Sequence, residues 1–273
     1  MSGSVRMRAP EVTSALLGRL FERAGAGRVE VVRLTDEELA VLDGPQSDHV
    51  APLPWLSALP ETEQETARTV AARSLAVRGV ARPSAIDETT GDVVLAVDGD
   101  THAVLAARRS SSGFVIAERR SDQESITHVL YVQGAAGVVD ETVNQAGLHV
   151  FSAGPTAPAV DALVAFLDPA GVATTDGPAE EVDLGAAASG VLPEAEADVL
   201  LVAVLVVVTA GPDGRAEQRR LTVMTKQDEV RLAEAGTGEA GRPAALIRSV
   251  GPETLRDRVQ ELVSQAASTP DPS

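Results

Sequence analysis

The sequence predicts an α+β fold of two similar halves related by a pseudo-twofold axis, with a central antiparallel β-sheet flanked by helices. The prediction starts from two stretches, 148–155 and 245–252, which each read as a strand that ends in Gly-Pro and passes into an apolar-periodic helix. Pro155 and Pro252 lie 97 residues apart. Elements that recur at one period indicate a duplicated unit.

Strand-like segments further upstream align at about the same offset: 101–110 with 199–208, and 124–133 with 221–230. We therefore expect one domain over 1–273, made of two pseudo-repeats at about 1–168 and 184–268. A linker at 169–183 would join them, because this stretch is acidic and rich in Gly, Ala and Pro. Residues 269–273 read as a disordered tail.

Local patterns place the helices of the first half at 10–24, from Thr35 to about 42, at 60–78 and at 157–168. Thr35 is the expected N-cap of the second helix, because Glu38 follows at capping-box spacing. The third helix has a predicted buried stripe at helical spacing: Ala67, Val70, Ala71, Leu75 and Val77.

Strands are predicted where β-branched residues are bounded by turn residues. In the first half they are 28–34, 92–98, 102–109, 113–119, 126–133 and 147–151, with hairpin turns at 99–100 and 110–113. In the second half a short Ala-rich helix near 179–189 precedes strands at 198–209, 218–226, 229–235 and 244–250 and a helix at 252–267. The Val-rich run 199–208 is expected to be a fully buried, central strand, since an exposed apolar edge would aggregate.

The composition excludes several classes of protein. Acidic residues number 40 and basic residues 23, which gives a net charge of −17, so the surface repels nucleic-acid backbones and anionic lipids. The chain has no cysteine, which excludes disulfides, thiolate zinc sites and a cysteine nucleophile. We expect no nucleic-acid partner, no membrane insertion and a cytoplasmic location, because no apolar run has the length of a signal peptide or a spanning helix.

The sequence carries no clear catalytic or cofactor-binding signature. The histidines at 49, 102, 128 and 149 lack metal-ligand spacing, so we expect them to be surface or packed residues and expect no metal or other cofactor. The arginine pairs 108–109, 119–120 and 219–220 are assigned to strand ends. They are interpreted either as solvated hairpin rims or as recognition sites for carboxylates on a partner protein.

The order of elements resembles the EspG family of type VII (ESX) secretion chaperones of actinobacteria. The similar stretches are Glu-Thr-Ala-Arg at 65–68 with Arg-Ser-Leu-Ala-Val-Arg-Gly-Val at 73–80, the strand–Pro–helix closure at 148–167, the Arg-containing hairpin at 214–221 and the strand–Pro–helix at 247–263. The resemblance implies a cytosolic, non-enzymatic chaperone that holds the tip of a helical substrate, such as a PE–PPE-type heterodimer. It also implies contact through a loop between sheet strands, the adjacent sheet face and the C-terminal helix region. The matching loop is Arg119, Arg120, Ser121, Asp122, Gln123, Glu124 and Ser125.

Three alternatives remain at this stage, and a homodimer is a further candidate assembly for any of them. The first is a scaffold or interaction protein with the same duplicated core. The second is an enzyme with a site assembled from scattered residues such as Asp98, His102, Glu118 and His128. The third is a regulator that binds nucleic acid, which the net charge disfavours.

Overall fold

The computed structural model describes residues 5–7, 14–44, 50–86, 93–111, 113–121, 124–183, 198–210, 216–237 and 243–268. These residues form helices and antiparallel sheets in roughly equal proportion, which confirms the predicted α+β class. They divide into two compact units: unit 1 comprises Met1–Ser111 and Ala136–Pro155, and unit 2 comprises Ser112–Ala135 and Thr156–Ser273. The pseudo-twofold relation and the repeats at 1–168 and 184–268 stay predictions.

The described helices and strands follow one another along the chain as β1 (Val5–Met7), α1 (Ser14–Ala24), β2 (Val29–Thr35), α2 (Asp36–Asp43), α3 (Pro54–Ser57), α4 (Glu61–Val77), β3 (Ala81–Ile86), β4 (Val93–Val97), α5 (Gly99–Ser110), β5 (Gly113–Arg120), β6 (Ser125–Val132), β7 (Val138–Asn144), β8 (Leu148–Gly154), α6 (Thr156–Leu167), β9 (Glu180–Asp183), β10 (Leu201–Ala210), β11 (Ala216–Thr225), β12 (Val230–Thr237), β13 (Pro243–Val250) and α7 (Pro252–Ala267).

Unit 1 packs helices against short sheets. In one sheet β8 lies between β2 and β7, antiparallel to both; in another β4 lies between β1, which is parallel to it, and β3, which is antiparallel. Helix α5 packs on β2 and β7, α1 packs on α5 and β8, and α2 packs on α4. The core of the unit includes large side chains that are almost fully buried: Leu20, Leu34, Leu39, Leu42, Leu75, Leu105 and Phe151.

The capping box that begins α2 is confirmed. Glu38 N donates to Thr35 Oγ1 at 3.5 Å, and Thr35 N donates to Glu38 Oε2 at 3.2 Å. Each side chain thus satisfies a backbone donor that the first turn of a helix leaves free. In α4, by contrast, the predicted stripe is wrong in part, because Val70 is 59% and Val77 89% exposed. The buried contact of α4 is narrower and runs through Ala71 and Leu75, which lie four residues apart on one face.

Residues 99–110 form helix α5, so the predicted turn at 99–100 and the predicted strand at 102–109 are both wrong. Asp98 is the N-cap, and its Oδ1 accepts hydrogen bonds from Asp100 N and Thr101 N at 3.1 Å each. The segment contains three alanines, one leucine and two arginines, which are strong helix formers. Arg108 and Arg109 therefore lie in the last turn of a helix, not at a strand end, and 101–110 has no counterpart in β10.

A sequence of four strands and a helix does occur twice in the chain, with a different alignment from the predicted one. The first copy is β5-β6-β7-β8-α6 and the second is β10-β11-β12-β13-α7. The sequence analysis predicts no strand at Val138–Asn144, where β7 lies. Because 99–110 is a helix, the first copy has three predicted strands where the structure has four.

Unit 2 is built on an antiparallel sheet with the strand order β6-β5-β10-β11-β12-β13-β9. Strand β10 pairs with β5 on one side and β11 on the other, which confirms the predicted central position of the Val-rich strand. Helix α7 packs on α6 and on β5, β6 and β10. The helix-covered face of the sheet includes six apolar side chains that are almost fully buried: Val115, Ala117, Ala203, Leu205, Val207 and Val223.

The segment 169–183 is attached to α7 and β13. Asp176 Oδ1 accepts a hydrogen bond from Gly251 N at 2.9 Å, and its Oδ2 accepts one from Thr254 Oγ1 at 2.9 Å. These two bonds lower the pKa of Asp176, and they cap α7, whose own N-cap residue is a glycine. Glu180–Asp183 pair with β13 as strand β9, where the sequence analysis predicts a helix. Residues 184–189 of that predicted helix and the tail 269–273 lie outside the described residues.

Gly113→Ala is expected to lower the free energy of unfolding by about 1–3 kcal/mol, because a Cβ at this position has no room. It would lie 2.2 Å from Ala266 O and 2.9 Å from Ala266 C, which are backbone atoms of α7. Gly236→Ala is the matched control on the same sheet, since its Cβ would meet only the Leu246 side chain, with Cδ1 at 3.6 Å and Cγ at 3.7 Å. Urea unfolding of both variants tests the packing of α7 on β5, and equal stabilities would contradict it.

Candidate partner-binding face

The predicted binding loop connects β5 to β6. Strand β5 ends at Arg120 and β6 begins at Ser125, while Asp122 and Gln123 lie outside the described residues. Ser121 N donates to Glu124 O at 2.9 Å, and Glu124 N donates to Ser121 Oγ at 3.3 Å. The two ends of the loop are therefore tied together, and binding by the loop stays a prediction.

Arg119 serves to hold the sheet to α6. Its guanidinium carbon lies 4.6 Å from the centre of the Phe166 ring, and its Nη1 donates to Phe166 O at 2.9 Å. Its Nη2 donates to Glu124 Oε1 at 3.1 Å, and only 15% of the side chain is exposed. A cation beside the last carbonyl groups of a helix also suits the helix dipole. This arginine is occupied within unit 2 and is a poor candidate for partner recognition.

Arg120 lies on the opposite face of the sheet and is open to solvent. Alternate residues of a strand point to opposite faces, so adjacent residues 119 and 120 separate. Arg120 donates to Glu118 Oε1 from Nε at 2.8 Å and from Nη2 at 2.6 Å. Its side chain is 70% exposed, and an ion pair this exposed contributes little to stability. Of the two arginines, Arg120 is the one that a partner can reach.

The face on which Arg120 lies carries a row of valines. On β10, Ala203, Leu205 and Val207 are buried on the helix side. The alternate residues Val204, Val206 and Val208 are only half-buried, and Val202 is 37% exposed. The prediction of a fully buried strand is therefore wrong for one side of β10.

Strand β5 extends the apolar row. Ile116 pairs with Val206 and Phe114 pairs with Val208, and partners in an antiparallel ladder share a face. Both are half-buried. We call the following six residues the valine face: Phe114, Ile116, Val202, Val204, Val206 and Val208.

Polar side chains border the valine face on both sides. On β5, Glu118 pairs with Val204 and Arg120 with Val202. On β11, Arg220 pairs with Val206 and Gln218 with Val208, and both are exposed. An apolar centre with a polar border is the usual composition of a protein–protein interface.

The sequence analysis missed the valine face, although a signal for it was present. A strand with one solvated face normally alternates apolar and polar residues, whereas 201–208 is apolar at every position. This pattern requires something apolar on both sides of the strand. The helices of unit 2 supply one side, and the second side is the candidate site.

The residues proposed for an assembled catalytic site have local structural roles. Asp98 caps α5, and His102 lies in the first turns of the same helix. Glu118 accepts hydrogen bonds from Arg120, and His128 meets the Phe166 ring edge-on, with ring centres 5.4 Å apart. None of these contacts is typical of a nucleophile–base pair.

A buried ionic network in unit 1 links α2, α5, β7 and β8, and the sequence analysis did not foresee it. His149 Nε2 lies 2.7 Å from Asp36 Oδ1, and His149 Nδ1 lies 2.6 Å from Glu141 Oε1. Arg108 Nε donates to Glu141 Oε2 at 3.0 Å, and Arg108 Nη1 pairs with Asp43. No sequence spacing signals this cluster, because the partners come from distant segments.

The geometry of this network indicates a structural role. The side chains of Asp36, Glu141 and His149 are all 0% exposed, so a substrate has no approach to the imidazole. Burial lowers the pKa of His149, but the hydrogen bonds and negative charges of Asp36 and Glu141 outweigh burial, so the pKa lies above its ordinary value. An imidazolium donates from both nitrogens, which matches the two carboxylates.

Comparisons with known proteins leave the valine face as the main guide to function. Among the described helices, none is both long enough and apolar enough to cross a membrane. No protein-family model matches the chain, and no curated protein is significantly similar to it.

Proposed function

We propose that this protein is a non-enzymatic, cytosolic chaperone of the EspG type, which holds a helical, PE–PPE-like type VII secretion substrate soluble before export. The valine face is the docking platform, and Arg120, a residue of the predicted binding loop, lies at its border. The observation that carries the proposal is the apolar row on β10, in which Val204, Val206 and Val208 are half-buried and Val202 is 37% exposed. A monomeric protein rarely leaves such a patch uncovered.

The chemistry of the face favours binding over catalysis. All six of its residues are aliphatic or aromatic, and none titrates or acts as a nucleophile. The apolar tip of a helical substrate aggregates in water, and it is protected when its apolar side chains meet this face. The net charge of −17 keeps such a complex soluble.

Val202→Asp is expected to weaken substrate binding by about 30-fold, because it places a charge among the apolar side chains of the interface at its most exposed valine. The protein is co-expressed with each PE–PPE-type pair encoded in its own genome, and the affinity of the purified pair is measured by calorimetric titration. Val70→Asp is the matched control, because it makes the same change at a 59% exposed position in unit 1. It is expected to bind as the wild type does.

The outcomes separate the proposal from its rivals. Failure of every PE–PPE-type pair to bind would exclude the chaperone proposal and favour a scaffold that has another partner. If the protein alone is dimeric in analytical ultracentrifugation and Val202→Asp makes it monomeric, a second copy occupies the face instead. Equal loss of affinity in both variants would place the contact elsewhere on the protein.

A further inference from the structure

We infer that the bound helix carries carboxylates on both flanks of its apolar stripe, and that Arg120 and Arg220 select for them. The inference rests on the proposed function and adds the chemical class of the partner. Its basis is the position of these two arginines on the face that also carries the valine row.

Arg120 and Arg220 lie on opposite sides of β10, at positions four residues apart along the row. Arg120 on β5 pairs with Val202, whereas Arg220 on β11 pairs with Val206. The other two corners of this patch are apolar: Ile116, which is half-buried, pairs with Val206, and Met224, which is buried, pairs with Val202. Val204 lies at the centre. One diagonal of the patch therefore runs from Ile116 to Met224 and is apolar. The other runs from Arg120 to Arg220 and has a cation at each end.

The separation of the two arginines fits a single helix. Four residues along a strand span about 13 Å, and two strand spacings span about 10 Å, which places the two Cα atoms about 16 Å apart. An α-helix with its side chains is about 10–12 Å across. A helix seated on the valine row thus has a guanidinium on each flank, within reach of its acidic side chains.

The local charge at the valine face favours an acidic partner, although the chain as a whole is acidic. The whole chain has a net charge of −17, so it repels an acidic helix at long range. Among the described residues that β5, β10 and β11 place on this face, the charged ones are Arg120, Arg220 and Glu118, which gives a local charge of +1. Arginine also forms bidentate bonds with carboxylates, which gives the contact direction as well as strength.

The adjacent arginines, Arg119 and Arg219, have different partners, so the pair of exposed cations belongs to the valine face alone among the described residues of β5 and β11. Arg119 and Arg219 point to the helix side of the sheet. Arg119 is bound to Phe166, and Arg219 pairs with Glu261 of α7 at 3.7 Å. The sequence analysis left open whether these pairs are solvated rims or sites for carboxylates. The fold turns Arg119 and Arg219 to contacts within unit 2 and leaves Arg120 and Arg220 on the valine face.

The test measures the affinity of a purified PE–PPE-type pair for charge variants of the chaperone. Arg220→Glu and Arg120→Glu are each expected to weaken binding about tenfold, and Arg220→Lys by much less. Arg219→Glu is the matched control, because it reverses the adjacent charge on the other face, and it is expected to change affinity less than twofold. Glu118→Gln is expected to strengthen binding about twofold, because it frees Arg120 and removes a negative charge.

The experiment distinguishes failure of the inference from failure of the proposed function. If Val202→Asp abolishes binding while Arg120→Glu and Arg220→Glu bind normally, the face binds the substrate and the carboxylate inference is wrong. If Arg219→Glu weakens binding as much as Arg220→Glu, the effect is one of net charge and the inference is also wrong. If no pair binds the wild type at all, the proposed function fails and the inference fails with it.

Discussion

Replacement of Arg108 with methionine is expected to lower the free energy of unfolding by about 3 kcal/mol, because it removes a cation that two buried carboxylates contact. Asp43 keeps its contact with Arg109, and Glu141 keeps its contact with His149. The Arg108 side chain is 5% exposed and lies between Asp43, which is 3% exposed, and Glu141, which is 0% exposed. Methionine keeps the apolar stem, so the packing loss is small. The charge loss dominates, and urea unfolding at pH 7 measures it.

Arg33→Met is the control for this prediction. Arg33 also pairs with a carboxylate, Glu30, but the two side chains are 59% and 48% exposed. Solvent screens such a pair, so the variant is expected to unfold at nearly the same urea concentration as the wild type. If Arg108→Met were as stable as Arg33→Met, the network would not hold α5 to β7 and α2.

The second large effect is a loss of stability as the pH rises, caused by His149. The groups that face its ring are Asp36 from α2, Glu141 from β7 and the Phe151 ring from β8, which stacks at 6.2 Å. Because the pKa of His149 is raised in the folded protein, the unfolded chain loses its proton first as the pH increases. The stabilisation is therefore complete below the unfolded pKa of about 6.5 and disappears as the pH rises through the higher folded pKa.

His149→Leu removes this pH dependence and also removes the hydrogen bonds of the imidazole ring to Asp36 and Glu141. Asp36 and Glu141 then face an apolar side chain, and at pH 6 we expect a cost of about 3–5 kcal/mol. At a pH above the folded pKa of His149 the difference from the wild type is expected to shrink, since the wild type has also lost its imidazolium. Urea unfolding of both proteins between pH 6 and 9 measures the difference, and a constant difference over that range would contradict a charged His149.

The sequence predicted correctly two helix starts that depend on neighbouring residues. The Thr35–Glu38 capping box and the Gly-Pro entry to α7 are set by neighbouring residues, and α2 and α7 begin as predicted. The central position of β10 followed from the aggregation risk of an exposed apolar edge. The segment 99–110 was predicted as a turn and a strand, but it forms a helix because Asp98 caps its start and its alanines and arginines favour the helix.

Tertiary context decided the rest. The unbroken apolar sequence of β10 indicates apolar surroundings on both sides of the strand, but which side the helices of unit 2 cover depends on tertiary packing. The partners of His149 are 113 and 8 residues away, and no spacing rule joins them. The opposite orientation of Arg119 and Arg120 follows from strand geometry, but their different roles depend on Phe166.

The central claim is that a helical substrate sits on the valine face, and site-specific photocrosslinking tests it most directly. A benzophenone amino acid is placed at residue 202 on the face and, as control, at residue 70 on α4, because both positions are exposed. After irradiation in the native cells, crosslinked peptides are identified by mass spectrometry. The account predicts that residue 202 crosslinks to a helix of a PE–PPE-type protein, with acidic residues beside the crosslinked position, and that residue 70 does not. Equal crosslinking from both positions, or crosslinks from residue 202 only to another copy of this chain, would contradict it.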